Sequence, residues 1–225
     1  PHSKVDEQVV PIDWRNLDNV GPAGSINSNV QEMATWIRMK LGEGVLEGNR
    51  IVSTEVIREI QTPHTIGELD DFHPESDFLV YGLGWFLHNY RDRKIVEHGG
   101  AIDGMRAQVV LVPEEKLGVV VLMNRDRSYL PAALCYRAID QFLGSTDRDW
   151  AADYLAISNK NKAKADEERE QKEAKRVKDS KPTHPLDAYV GTYRSELYGD
   201  MHVTLGEEGL VIESGPTLIA DLEHW

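Results

Sequence analysis

Residues 105–112 read Met-Arg-Ala-Gln-Val-Val-Leu-Val, residues 113–116 Pro-Glu-Glu-Lys, and residues 117–124 Leu-Gly-Val-Val-Val-Leu-Met-Asn. A half-exposed strand alternates apolar with polar positions, whereas the second run is nearly continuously apolar, so the two runs around a turn predict a hairpin over 105–124 whose second strand is covered on both faces. Residues 82–89 predict another strand, turned back at Arg91-Asp92-Arg93 into a strand over 94–98. Helical spacing appears beside these strands. Val30, Met33, Trp36, Ile37 and Leu41 share one helical face, and Gly42 or Gly44 ends that helix. The segment 21–27 reads as a loop delivering Ser28 to the N-cap, with Gln31 three residues on to complete a capping box. A second helix starts at Ser53 or Thr54 and stops before Pro63, and residues 131–144 form an amphipathic helix suited to lie across the sheet. The expected class is α+β, an antiparallel sheet flanked by helices.

The pattern changes after residue 148. Residues 159–181 hold nine Lys/Arg against six Asp/Glu, with Val177 the only branched apolar residue. Such a stretch is a solvated helix laced by pairs such as Glu168 with Lys172, or a flexible tether. Beyond Pro182 and Pro185 come short strand-like runs at 188–193, 201–205, 209–213 and 218–222 with Gly-containing turns between them. The expected organisation is therefore a main domain over 1–147, a charged helical linker over 148–184 and a partial all-β piece over 185–225. Both ends read as cut: Pro1-His2-Ser3 is not a natural start, and residue 225 falls in what reads as mid-strand.

Charge and composition narrow the function. The formal net charge of -13 argues against nucleic acid as a partner, because phosphate recognition needs clustered cations. No apolar run approaches the roughly 18 residues of a membrane span. Cys135 is the single cysteine, so neither an internal disulfide nor a thiolate metal site is available, and its apolar helical setting predicts a buried packing thiol.

The candidate chemistry lies in Lys94-Ile-Val-Glu-His98-Gly99-Gly100-Ala101. A strand ending in two glycines lets a ligand approach the backbone where a Cβ would intrude, an ordinary β-bulge being the plain alternative. Other histidines point elsewhere. Asp70-Asp71-Phe-His73 and His64 suggest a metal only superficially, since no third ligand recurs at helical or hairpin spacing, and a solvated loop is the expectation. His88 alternates within its strand and is expected to be exposed. No metal and no cofactor is expected.

Together these motifs carry a resemblance. Gly-Pro-Ala-Gly-Ser-Ile-Asn-Ser before a helix, Tyr81-Gly-Leu-Gly-Trp85, Glu97-His98-Gly99-Gly100 and the Val-Pro-Glu-Glu-Lys hairpin running to Asn124 resemble the C-terminal half of the serine β-lactamase and penicillin-binding-protein-like hydrolases. The group most resembled is that of class C β-lactamases with their esterase and D-aminopeptidase relatives, over residues 10–145. The piece from about residue 185 resembles the small β domain that often follows this fold. The resemblance implies an acyl-enzyme mechanism on β-lactam, D-amino-acid peptide or ester substrates. It also implies that His98-Gly99-Gly100 stands where better-known members carry Lys-Thr-Gly, that the Ala101 backbone N–H serves the oxyanion hole, and that Asn124 is a rim position for substrate. The family's usual location is periplasmic or exported.

The departures are as informative. No serine here has lysine three residues on, and no tyrosine is followed two residues on by asparagine, so Ser-x-x-Lys and Tyr-x-Asn are both absent. Ser25-Ile-Asn27 fits a Ser-x-Asn variant formally, but its position assigns it to capping the next helix. The expectation is a fragment whose nucleophile and base lie in a missing N-terminal half, inert alone, and associating with that half or with itself. A non-catalytic binding or scaffold module on a degenerate hydrolase fold is the alternative. Residues 62–77 are the loop expected to shape the pocket.

Overall fold

The computed structural model describes residues 1–73, 75–215 and 218–225, in two compact units, Pro1–Ala163 and Lys164–Trp225. In the first unit β1 (His2–Val5) and β2 (Gln8–Pro11) form a hairpin. Asp126 ties it down: Ser3 Oγ donates to both carboxylate oxygens at 3.0 Å, and Gly104 N–H donates to Oδ2 at 3.2 Å. One helical turn, α1 (Gly21–Gly24), stands where the sequence predicts a loop, because Pro22 at its start presets the backbone. The next helix, α2 (Val30–Leu41), is capped by Asn29, whose side chain accepts from the N–H groups of Gln31 and Glu32. The expected Ser28–Gln31 box does not form. Ser28 Oγ donates instead to Glu32 Oε2 at 3.0 Å, since Asn is as good a cap and sits one residue nearer the first turn.

After the two-residue strands β3 (Val45–Leu46) and β4 (Asn49–Arg50), α3 (Thr54–Glu59) starts as expected with Ser53 as its cap. The main sheet follows, six antiparallel strands in the order β10-β9-β8-β7-β6-β5. Its strands are β5 (Thr65–Ile66), β6 (Leu79–Tyr81), β7 (Phe86–Tyr90), β8 (Arg93–Ile102), β9 (Met105–Val112) and β10 (Leu117–Met123). The strand expected over 82–89 starts only at Phe86: Gly82 N–H donates to the Trp85 carbonyl at 2.8 Å, closing a turn, with Gly84 in the left-handed region at φ 79°. Arg91 and Asp92, both at positive φ, make the tight β7–β8 turn.

The covered hairpin is as expected. On one face of the sheet α4 (Leu130–Leu143) closes a core of Tyr90, Ile95, Val110, Val112, Tyr136 and Ile139. On the other, α2 packs Ile37 against Leu87, Val96, Val109 and Leu111. Gly118 of β10 permits the second contact, because a Cβ there would fall 2.2 Å from Ile37 Cγ2. Gly118→Ala is expected to cost about 1–3 kcal/mol by overpacking, read as a lower denaturation midpoint at unchanged slope.

The chain does not turn polar immediately after residue 148. The helix α5 (Trp150–Ala174) buries Trp150 and Tyr154 in the α4-side core, and only its later turns are solvated. Ion pairs there include Lys164 with Glu168 and Arg169 with Asp166. In the second unit the stretch expected as a strand over 188–193 begins as a 3-10 turn, Leu186–Tyr189. A four-stranded meander follows: β11 (Gly191–Ser195), β12 (Gly199–Leu205), β13 (Leu210–Ser214) and β14 (Leu218–Leu222). Arg194 and Asp200, register partners on β11 and β12, form a two-point ion pair at 2.7 and 2.9 Å.

Candidate active-site cleft

The strand β8 runs straight through His98, Gly99 and Gly100 to Ile102 without a bulge, paired residue for residue with β9. Its pairing with β7 runs from Arg93 to Glu97 and stops there. Among the described residues the β7-side edge of β8 is thus open from His98 onward, leaving backbone groups available to a ligand.

An open cleft of about 750 Å³ lies between the end of this strand and the segment around α1. Gly100, Ala101 and Asn124 all line it, joined by Ile26, Asn27, Ser28 and Arg106. Its size is that of a small-molecule site. His98 and Gly99 do not line it. The His98 ring stacks on Phe86 at 5.6 Å between centroids, with Nε2 3.1 Å from Tyr81 Oη and Nδ1 2.6 Å from its neighbour's carbonyl. Gly99 has a packing reason of its own. A Cβ there would meet Gln108 Oε1 at 2.8 Å, and Gln108 uses that space to donate to Glu97 Oε2 at 3.0 Å. Gly100 is different, since a Cβ would find only Ala107 Cβ at an ordinary 3.5 Å.

Arg106 is the residue that sequence reasoning passed over. It pairs with Ala101 in the ladder and lines the cleft, and its Nε is buried with no hydrogen-bond partner among the described residues. An arginine in an apolar strand reads as a solvated position, and nothing in its spacing says otherwise. At the cleft's border Arg15 and Asp103 form an ion pair at 3.1 Å. Ser25 is occupied locally, donating from Oγ to the Gly21 carbonyl at 2.8 Å. The described residues of 62–77 do not line this cleft, and part of that segment packs on α5 instead: Tyr154 Oη donates to the Phe72 carbonyl at 2.8 Å.

Two histidine readings are corrected. His88 is fully buried, because the α4-side face of β7 is covered along with Tyr90 two residues on. His73 is mostly buried rather than solvated, and with His88 and Glu97 it forms a three-residue cluster of the kind that holds metal ions. Burial alone would raise the Glu97 carboxyl, yet the two imidazoles beside it bring it down to about 2. His73 moves the other way: burial opposes its charge, but Glu97 and Asp70 together raise it. Cys135 is fully buried as expected, and burial pushes its thiol up to about 12.

Comparison with known proteins extends this picture. The chain is 27% identical to the Unguisins hydrolase ungD of Aspergillus violaceofuscus over 229 residues, covering 89% of this chain and 38% of that protein. It is 29% identical to the Unguisins hydrolase ungD' of Aspergillus campestris over 218 residues, covering 88% of this chain and 37% of that protein. The chain thus spans well under half the length of the curated relatives it matches. A solved structure, that of the octameric penicillin-binding protein homologue from Pyrococcus abyssi, aligns with a TM-score of 0.46 at 18% identity, over 86% of this chain and 36% of that one. A model described as Domain of unknown function (DUF3471) matches residues 175–225. The Beta-lactamase family model matches residues 1–143, a span that holds the six-stranded sheet, α2, α4 and the whole cleft, and the chain therefore belongs to that family.

Proposed function

We propose that this chain supplies the substrate-facing wall of a serine acyl hydrolase, whose nucleophile and base come from a segment outside these 225 residues. The observation that carries the reading is the open edge of β8 at Gly100 and Ala101, set in a cleft of ligand size. Acyl transfer through a serine builds a tetrahedral oxyanion, and each preorganised donor aimed at it contributes about 3–4 kcal/mol of transition-state stabilisation. The Ala101 N–H is assigned that role, Gly100 admits the scissile carbonyl, and Asn124 stands at the rim. His98, held by Tyr81, steadies the strand. The guanidinium of Arg106, a cleft-lining residue whose Nε has no partner among the described residues, suits a substrate carboxylate.

The relatives' names support hydrolysis as the reaction class. Esters, D-amino-acid peptides and β-lactams are the substrates proposed, through an acyl-enzyme. Within this chain no serine has a lysine positioned three residues on, and a hydroxyl without a base is not nucleophilic at neutral pH. The outer edge of β10, an apolar strand that ends the sheet with no neighbour among the described residues, suits pairing with the nucleophile-bearing half or with a second copy.

The test is to offer the full-length protein an ester, a D-amino-acid peptide and a penicillin, and to map the site of a fluorophosphonate label by mass. Turnover of at least one substrate is expected, with the label on a Ser-x-x-Lys serine outside this chain. A stoichiometric label on any serine of these 225 residues would refute the division of labour, as would a protein that neither turns over nor labels.

A further inference from the structure

On the face of the sheet covered by α4, three ligand-type side chains arrive from three separate elements. His73 comes from the segment between β5 and β6, His88 from β7 and Glu97 from β8, and their donor atoms lie within 4.8 Å of one another. His73 Nε2 is 3.1 Å and His88 Nε2 3.3 Å from the same oxygen, Glu97 Oε1. Around a tetrahedral zinc with ligands at about 2.0–2.1 Å, neighbouring donor atoms stand about 3.3 Å apart, so the separations of both imidazoles from Glu97 match those of neighbouring ligands.

The far side of each ring fixes where its proton sits. Asp70 Oδ1 accepts from His73 Nδ1 at 2.6 Å. Ser76 Oγ donates to the Asn89 carbonyl at 2.8 Å, which leaves the same oxygen to accept from His88 Nδ1 at 2.8 Å. Both imidazoles therefore carry hydrogen on Nδ1 and turn their Nε2 towards Glu97, the outer-sphere arrangement typical of metal-binding histidines. Two lone pairs converging on a carboxylate oxygen repel unless a positive centre joins them. His88 is fully buried, and its Nε2 has no aligned hydrogen bond among the described residues. A buried polar atom without such a bond is costly, and one divalent cation satisfies all three groups at once.

We propose that His73, His88 and Glu97 bind one divalent transition-metal cation, with Zn²⁺ the best match to two imidazoles and a carboxylate. The site is structural: it pins the segment around His73 to β7 and β8. Through Glu97 and Gln108 it also braces β8 at Gly99, one residue before the cleft begins. His73, the most exposed of the three side chains at 11%, marks the side of entry.

The protein is stripped with a chelator, then titrated with Zn²⁺ alone and with Co²⁺ alone, reading bound metal after dialysis, the visible absorption of cobalt and the melting temperature. Wild type is expected to take up one equivalent more zinc than His73→Ala or Glu97→Gln, with a saturable rise in melting temperature and a tetrahedral cobalt band. Asp70→Asn, which removes only an outer-sphere partner, is expected to weaken binding about 10–100-fold, and the ligand variants by more than that. His73 lies at the surface side of the cluster, so its truncation leaves the core intact, and Glu97→Gln preserves shape. Equal zinc content and affinity in wild type and both ligand variants would overturn the site, as would a stripped protein that retains no zinc and melts at the same temperature with or without it.

Discussion

Replacing Asp140 by Ala is expected to lower the unfolding free energy by about 3–5 kcal/mol, the cost typical of breaking a buried charged network by removing one partner. Its carboxylate is fully buried on α4 and accepts three hydrogen bonds: from Tyr90 Oη at 2.7 Å, Arg91 Nε at 2.8 Å and Trp150 Nε1 at 2.7 Å. Those donors belong to β7, the β7–β8 turn and α5, so one side chain fastens three elements to α4. Alanine leaves the tyrosine hydroxyl and the indole N–H buried without their acceptor, and each orphaned group costs about 1–3 kcal/mol. Arg91 escapes more cheaply, being 28% exposed and already within 3.3 Å of Asp147. Asp140→Asn, which keeps the shape and one acceptor oxygen, should cost clearly less. Urea denaturation followed by circular dichroism measures both, and a loss under about 1 kcal/mol for the alanine variant would show that the network is not what joins these elements.

The hairpin of β9 and β10, α4 and the capped start of α3 are legible in the sequence because each rests on local periodicity and turn chemistry. Where reading failed, the deciding contact is long-range. Strand alternation tells that Phe86, His88 and Tyr90 share a face, but not that α4 and α5 cover it, so His88 reads as exposed when it is buried. The His73, His88 and Glu97 cluster has separations of 15 and 9 residues that match no ligand motif. Sheet register creates it by placing Phe86 opposite Glu97. A usable signal was present even so, in two titratable residues on apolar strands with one parity. In the cleft, Gly100, Ala101 and Asn124 come together as the motif order suggested, whereas Gly99 serves Gln108 and Arg106 enters unannounced. A glycine pair shows that something approaches closely. It does not say whether that something is a ligand or a neighbouring side chain.

Gly100 separates the two cases most cleanly. Valine is a favourable strand residue, and the first carbon added there meets only Ala107 at 3.5 Å, so the folded state tolerates it. The added bulk instead occupies the cleft beside the Ala101 N–H, displacing a reacting carbonyl from the oxyanion donor, and a displacement of about 1 Å already costs roughly 100-fold in rate. The decisive measurement is kcat for the full-length protein and its Gly100→Val variant on the best substrate of the panel, with the melting temperature of each taken in parallel. If the edge of β8 is where the acyl group is transferred, kcat falls about 100- to 1,000-fold while the two melting temperatures stay together. A folded Gly100→Val variant that turns over at the wild-type rate would place the chemistry elsewhere.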